Sequence, residues 1–219
     1  MSISDPLRVP KEHHRGRDLV KADTKPTDRR RQRHDAKLAT IVSEAWDLAR
    51  RDGLAVISLR ELADRVDLRQ PSLYAYFDSK LALYDAMFAD GNRQLLEVMA
   101  QHPARDDPRA SLVEFVEVLV QFVSDDIVRY QLLFQRTIPG FEPSPESFGI
   151  AMEFYAIAQQ RLAAAGATHP DDIDVFSALV AGFAQQQVAN DPGGKRWVRQ
   201  VPRAIDMFLA DVERRAANG

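Results

Sequence analysis

Apolar residues recur along most of the chain at three- and four-residue spacing, the period of amphipathic helices, while no segment alternates polar and apolar positions as strands do. Capping residues and helix breakers between the apolar stretches mark the predicted helix ends. The sequence therefore predicts an all-α fold of nine helices. They begin near residues 38, 59, 71, 80, 108, 127, 146, 170 and 196, and the last contains Pro202, where we expect a bend or a restart.

Two short helices in this pattern are joined by a tight turn. Ser58 and Glu61 have the spacing of a capping box at the start of the first short helix. Asp67 and Leu68 form the predicted turn, and Pro71 lies in the first turn of the next helix, where its missing N–H is least costly. Two short helices connected in this way are typical of a helix-turn-helix.

The second short helix combines one apolar anchor, Leu73, with many side chains that can form hydrogen bonds. Glutamine can pair with adenine and arginine with guanine, small apolar groups suit the thymine methyl, and tyrosine and lysine suit phosphate oxygens. The alternative interpretation is a solvated polar face beside aromatic core residues. The polar positions are Arg69, Gln70, Ser72, Tyr74 and Tyr76.

Composition and charge narrow the class of protein. Hydrophobic residues make up 45% and charged residues 28% of the 219 positions, as in soluble globular proteins. Apolar runs such as residues 112–123 are interrupted by charges and fall short of the roughly 20 residues of a membrane span. The sequence has no cysteine, which excludes disulfides and thiolate metal sites and fits a reducing compartment. We therefore expect a cytoplasmic protein without a membrane partner.

Charge is divided unevenly along the chain. Residues 1–37 contain 11 Lys and Arg against 6 Asp and Glu, whereas the remainder contains 18 against 26. A basic end beside an acidic body is expected where one end meets phosphates. We predict a disordered basic arm over residues 1–34, a helix-turn-helix domain over 35–82, and a C-terminal domain over 83–219. The run from Arg29 to Arg33 is either a DNA-gripping arm or a solvated stretch.

The helix-turn-helix region closely resembles the TetR family of bacterial transcriptional regulators, and within it the subgroup around the tetracycline repressor. The resemblance is specific over residues 38–88 and rests on the segments at 58–63, 70–74 and 76–77 together with Lys80. The sequence departs from the family at Asp67, where glycine is common, and at Arg69, where a capping Ser or Thr is common. Tyr76 stands where histidine is more usual.

The resemblance implies which residues contact double-stranded DNA. Base contacts are implied for Arg60, Gln70, Pro71 and Ser72, and backbone contacts for Tyr74 and Lys80. Arg69 adds a cation that we also expect at the DNA, and Tyr76 completes the candidate set. The operator would be a near-palindrome, because the resemblance implies a two-fold homodimer.

The resemblance further implies a C-terminal bundle that encloses a small-molecule effector and dimerises through the last two long helices. Apolar side chains on the fifth to seventh helices are candidates for the ligand pocket, although most apolar helix faces are plain core. The pocket candidates are Phe115, Leu119, Phe122, Phe134, Phe148, Met152 and Tyr155. The expected dimer stripes contain Phe176, Val180, Phe183, Ile205, Phe208, Leu209 and Val212.

The five histidines show no metal-ligand spacing, and the sequence contains no glycine-rich phosphate loop or nucleophile elbow. We therefore expect neither a metal, nor a cofactor, nor an enzyme. The leading hypothesis is a ligand-responsive regulator, most simply a repressor, that a small molecule releases from DNA. The alternative is a DNA-binding protein of the same fold with no inducer, either structural or controlled by a protein partner, and a filled C-terminal core would favour it.

Overall fold

The computed structural model describes residues 26–218, and over this range the backbone forms helices and turns but no strand. The predicted all-α fold is confirmed. Short 3-10 turns at Leu54–Val56 and Val198–Gln200 accompany the α-helices. The helices are α1 Pro26–Asp52, α2 Leu59–Arg65, α3 Gln70–Leu73, α4 Lys80–Ala100, α5 Pro108–Asp125, α6 Ile127–Phe134, α7 Pro145–Ala164, α8 Pro170–Asn190 and α9 Val201–Asn218.

The first helix begins earlier than its apolar pattern predicts. Helix α1 starts at Pro26, so the part of the expected disordered arm from Pro26 to His34 is helical, and the part over residues 1–25 lies outside the described residues. Proline is well tolerated in a first helical turn, and Arg and Gln have good helix propensity. Because these residues are polar on every side, the segment gives no amphipathic signal. The side chains from Arg29 to Arg33 are exposed.

Contacts between Cα atoms divide the chain into Met1–Ala36 and Lys37–Gly219. The second unit contains two hydrophobic clusters. One is formed by α1 to α4 around Trp46, Leu62 and Leu73, with Leu132 of α6. The other lies in the C-terminal helices around Phe115 and Ile205. Helix α4 supplies buried residues to both clusters, and therefore connects the helix-turn-helix to the C-terminal body.

The connection between α8 and α9 is organised by one buried amide. Gln187 is 1% exposed, its Oε1 accepts the backbone N–H of Trp197 at 3.1 Å, and its Nε2 donates to the carbonyls of Gly194 at 3.1 Å and of Asp191. The last helix starts at Val201, with Pro202 in its first turn, rather than near residue 196. The expected restart at Pro202 is therefore observed, and the residues before it form the linker.

No helix in the described part of the chain is both long and apolar enough to cross a membrane.

Candidate functional site

The turn between α2 and α3 has the geometry that the sequence predicts. The Ser58 hydroxyl accepts the backbone N–H of Glu61 at 3.3 Å and caps α2. Asp67 has φ of 53°, and it is the one non-glycine residue with positive φ among residues 26–218. The Leu68 N–H then donates to the carbonyl of Ala63 at 2.9 Å. Asp is one of the few residues that visits this left-handed conformation readily, so the turn forms without glycine.

Helix α3 is a single turn that presents its polar side chains outward. Leu73 is 2% exposed and anchors the helix in the N-terminal cluster. Arg69 occupies the N-cap position and its side chain forms no capping hydrogen bond. Six of the eight predicted DNA-contacting residues are exposed. They are Arg60 on α2 and Arg69, Gln70, Pro71, Ser72 and Tyr74 on and beside α3.

The other two predicted residues are half-buried. Tyr76 packs against the N-terminal hydrophobic cluster. Lys80 donates from Nζ to the carbonyl of Ala55 at 2.8 Å and lies 5.7 Å from the ring centroid of Tyr84, and burial lowers its pKa. The Tyr84 hydroxyl donates to the carbonyl of Leu54, and burial raises its pKa to about 12. Lys80 and Tyr84 therefore fix the 3-10 turn that leads into α2.

The C-terminal helices line a cavity of about 440 Å³ that is open to solvent on one side, a volume within the range of small-molecule sites. Its wall contains six of the seven predicted pocket residues, namely Phe115, Leu119, Phe134, Phe148, Met152 and Tyr155. Phe122 is the exception and corrects the prediction. Its ring lies 3.7 Å from the guanidinium carbon of Arg129 and lines a different groove, because it projects from α5 away from the cavity.

Aromatic rings dominate the cavity wall. Phe115 stacks on Phe154 with ring centroids 5.4 Å apart, and Phe154 meets Phe134 edge-on at 6.5 Å. Asn92 of α4, which the sequence reasoning did not select, reaches the same cavity at 3% exposure. Its Nδ2 donates to the carbonyl of Phe88 at 2.9 Å. The sequence could have indicated Asn92, because it is a polar residue on an otherwise apolar face of α4.

Residues 41–87 match the family described as bacterial regulatory proteins, tetR family. The matched segment contains α2, α3 and the turn between them, with the exposed face described above. Residues 41–87 therefore form a DNA-binding domain of the tetR family type.

Several solved structures share the fold. The protein SCO4313 is 23% identical with a TM-score of 0.62, over 83% of this chain and 97% of that one. A TetR-family regulator from Streptomyces coelicolor is 17% identical with a TM-score of 0.61, over 84% and 89%. A TetR variant from Acinetobacter baumannii AYE in complex with minocycline is 24% identical with a TM-score of 0.55, over 80% and 96%. Among curated proteins, none matches this chain.

The apolar stripes expected to form the dimer interface are buried within the protomer. Phe176, Val180, Ile205, Phe208 and Val212 are each at most 7% exposed in the single chain, so the prediction that they lie open to a partner is wrong. The rings of Phe176 and Phe208 lie 5.7 Å apart. Helical periodicity shows which face is buried but not which surface covers it. The remaining two predicted residues, Phe183 and Leu209, are half-buried against the same cluster.

The outward sides of α8 and α9 carry different apolar residues. Val175 is 56% exposed and Met207 is 66% exposed. The sequence reasoning passed over both because it followed the more continuous, core-forming stripes.

A hydrogen-bonded clasp between α4 and α7 was also missed. The Asp85 carboxylate accepts the backbone N–H of Ser144 at 2.7 Å, the Ser144 hydroxyl at 2.8 Å and the Ser147 hydroxyl at 2.9 Å. Ser144 is the N-cap of α7, the helix that carries Phe148 and Met152 into the cavity wall. No local sequence signal joins residues this far apart, so the clasp could be found only from the fold.

Proposed function

We propose that this chain is a ligand-responsive transcriptional regulator of the TetR family, most simply a repressor, that binds a near-palindromic operator as a homodimer. The observation that carries the proposal is the exposed face of α3. Arg69, Gln70 and Ser72 project to solvent while Leu73 alone anchors the helix. Side chains of this kind on the second helix of a helix-turn-helix are placed to read base edges in the major groove.

The eight predicted DNA contacts divide into two groups by their burial. Arg60, Gln70 and Ser72 are open to base edges, and Tyr74 is open to the phosphate backbone. The Lys80 ammonium, which would contact a phosphate, already donates a hydrogen bond to the Ala55 carbonyl. We therefore assign Lys80 to positioning α2 as well as to the phosphate backbone.

The homodimer is proposed to form through the outward sides of α8 and α9. Two large apolar side chains, Val175 and Met207, are left more than half exposed there. A second copy of the chain, related by a two-fold axis, would present the same residues in return. This contact replaces the buried stripes as the candidate interface.

Release by a small molecule is proposed to act through α4. The helix runs from Lys80, beside the helix-turn-helix, to the cavity, where Asn92 lies in the wall. Trp46 Nε1 of α1 donates to Asp90 of α4 at 2.8 Å, and Arg50 of α1 pairs with Asp126 at the start of α6 at 2.9 Å. An effector that fits a displaced arrangement of α4, α6 and α7 would shift the population away from the DNA-binding form.

A DNA-binding protein without an inducer would be favoured by a filled C-terminal core. The cavity of about 440 Å³ in that core favours the ligand-responsive form instead.

Selection of bound fragments from a random duplex DNA library, using the purified full-length chain, tests the proposed function. We expect enrichment of a near-palindromic site. Fluorescence anisotropy on that site should show affinity that falls linearly with salt concentration on logarithmic axes. Failure to enrich any sequence, together with binding that is independent of salt, would contradict DNA recognition by this chain.

A further inference from the structure

The proposed effector cavity is lined entirely by uncharged side chains among the residues that the structure describes. Its polar groups are the amide of Asn92 and the hydroxyls of Tyr130, Tyr155 and Ser177. An ion moved from water into such a cavity loses part of its hydration and gains no counter-ion, which costs more free energy than moving a neutral group. The cavity wall therefore favours neutral ligands over charged ligands.

A buried cation lies behind the aromatic wall. Arg161 is 4% exposed, and its guanidinium carbon lies 5.2 Å from the ring centroid of Phe115, which lines the cavity. The guanidinium donates to the carbonyls of Ser111, at 3.0 Å, and of His102. Arginine stays protonated even when buried, so a positive charge lies next to the cavity.

The positive charge of Arg161 has no ion-pair partner within residues 26–218. Glu114 is the one carboxylate that acts on it electrostatically, and this carboxylate is already bound by Arg105 at 2.5 Å and by His102 at 3.2 Å. The charge of Arg161 is therefore only partly balanced beside the cavity. It repels a bound cation through a medium of low dielectric constant, where such interactions are strong.

A second chamber of about 440 Å³ adjoins the cavity and shares Phe88, Leu133, Phe134 and Phe148 with it. The ionisable residues in its lining, Arg136 and Glu142, carry opposite charges. The lining of this chamber therefore has no net formal charge. It offers room for a polar but uncharged substituent.

We propose that the effector is an uncharged, largely aromatic molecule, and that the cavity rejects cations more strongly than anions. This inference rests on the proposed function, because it names the chemical class of the effector. Its aromatic part meets the rings of Phe115, Phe134 and Phe154, which favour stacked and edge-on contacts. Its hydrogen-bonding group meets Asn92 or a wall hydroxyl.

Three fluorescent pyrene derivatives test the charge preference on the full-length chain without DNA. They are pyrenemethanol, pyrenecarboxylate and pyrenemethylammonium, substituted at the same ring position and respectively neutral, anionic and cationic at pH 7. We expect the alcohol to bind about tenfold or more tightly than the carboxylate, and the ammonium to bind most weakly. Equal or tighter binding of either ion, or no binding of the alcohol, would overturn the proposal.

Filling the cavity shows whether the probes occupy it. Ala151→Phe places a ring in the cavity wall, whereas Ala156→Phe makes the same change at an exposed position of α7 outside it. Only Ala151→Phe should weaken the binding of pyrenemethanol, by about tenfold or more. Equal effects of the two changes would place the probe elsewhere and contradict the assignment.

A charge introduced into the wall should reverse the preference. Ser177 is an exposed residue that lines the cavity, so its substitution spares the core. Ser177→Asn is the isosteric control. Relative to it, Ser177→Asp should strengthen the binding of pyrenemethylammonium about tenfold and weaken the binding of pyrenecarboxylate. Unchanged affinities would show that the wall does not set charge preference. Because no DNA is present, these results are independent of whether the operator experiment succeeds.

Discussion

Near the helix-turn-helix, some side chains are exposed and available to contact DNA, whereas others form hydrogen bonds that stabilise the fold. On α3, Gln70 and Ser72 are exposed, while Leu73 is buried and fixes their orientation. Lys80 and Tyr84 lie close to them in the chain but hold the carbonyls of Ala55 and Leu54. Substitutions at the first pair should change DNA affinity without changing stability, whereas substitutions at the second pair should change both.

Gln70→Ala should weaken binding to the selected operator by about tenfold or more, since a bidentate contact to a base is worth roughly 1–3 kcal/mol. The melting temperature should stay the same because the side chain is exposed. Fluorescence anisotropy and thermal unfolding measure the two effects. Gln159→Ala, at an exposed position of α7, is the matched control, and a comparable loss of affinity there would contradict the assignment.

Glu114 should make stability depend on pH in acid. Its hydrogen bonds and ion pairs with Arg105 and His102 lower its pKa to about 2. A carboxyl with a depressed folded-state pKa stabilises the fold above its unfolded pKa, near 4.5, and loses that contribution as pH falls towards about 2. Urea unfolding between these pH values should show a shallower dependence for Glu114→Gln, while Glu153→Gln, an exposed control, should follow the unchanged chain.

At the scale of helices, α1, α4 and α6 approach one another closely at Gly91. A Cβ atom on Gly91 of α4 would lie 3.1 Å from Leu133 Cδ2 and 3.3 Å from Trp46 Cζ2. Glycine here has no special backbone conformation and serves to let three helices approach. The contact joins Leu133, which lines the cavity, to Trp46 in the N-terminal cluster.

Gly91→Val should lower the free energy of unfolding by about 1–3 kcal/mol through overpacking. Gly149→Val is the matched control in α7, where a Cβ would meet nothing within 4 Å and helix propensity favours valine slightly. Urea denaturation of both variants measures the difference. An equal effect at the two glycines would show that the junction tolerates a larger side chain.

The Asp85 clasp gives a second prediction at this scale. Asp85→Asn keeps one acceptor oxygen and loses the negative charge that three hydrogen bonds share, which should cost about 2 kcal/mol of stability. It should also loosen α7, the helix that Ser144 caps. Chemical denaturation reports the stability and hydrogen exchange reports the first turn of α7. Asp106→Asn, on an exposed loop, should leave both measurements unchanged.

What the sequence predicted well was local, and what it missed depended on distant partners. The turn at Asp67 and the exposed face at Gln70 are determined by neighbouring residues, so spacing and capping identified them. The role of Phe176 was wrong because the same periodicity fits a protomer core and a dimer face. Asp85 could not be selected at all, since its partner Ser144 lies 59 residues away.

For the whole molecule, assembly and DNA binding should depend on the outward sides of α8 and α9. Met207→Glu should convert the proposed dimer to monomers and weaken operator binding, because a charge would enter the apolar contact. Light scattering coupled to size-exclusion chromatography measures the mass. Ile127→Glu changes another exposed apolar residue away from those helices, and the dimer should persist. Dissociation by both variants would argue against the proposed interface.

Helix α4 belongs to two hydrophobic clusters at once, with Leu83 and Met87 buried in one and Leu95 and Met99 in the other. The helix-turn-helix cannot therefore be separated from the body at Lys80 without removing part of its own interior. A chimeric regulator that gives this DNA-reading head to another sensor should retain α4 through Ala100. A junction placed before α4 would leave the hydrophobic core of the DNA-binding domain incomplete.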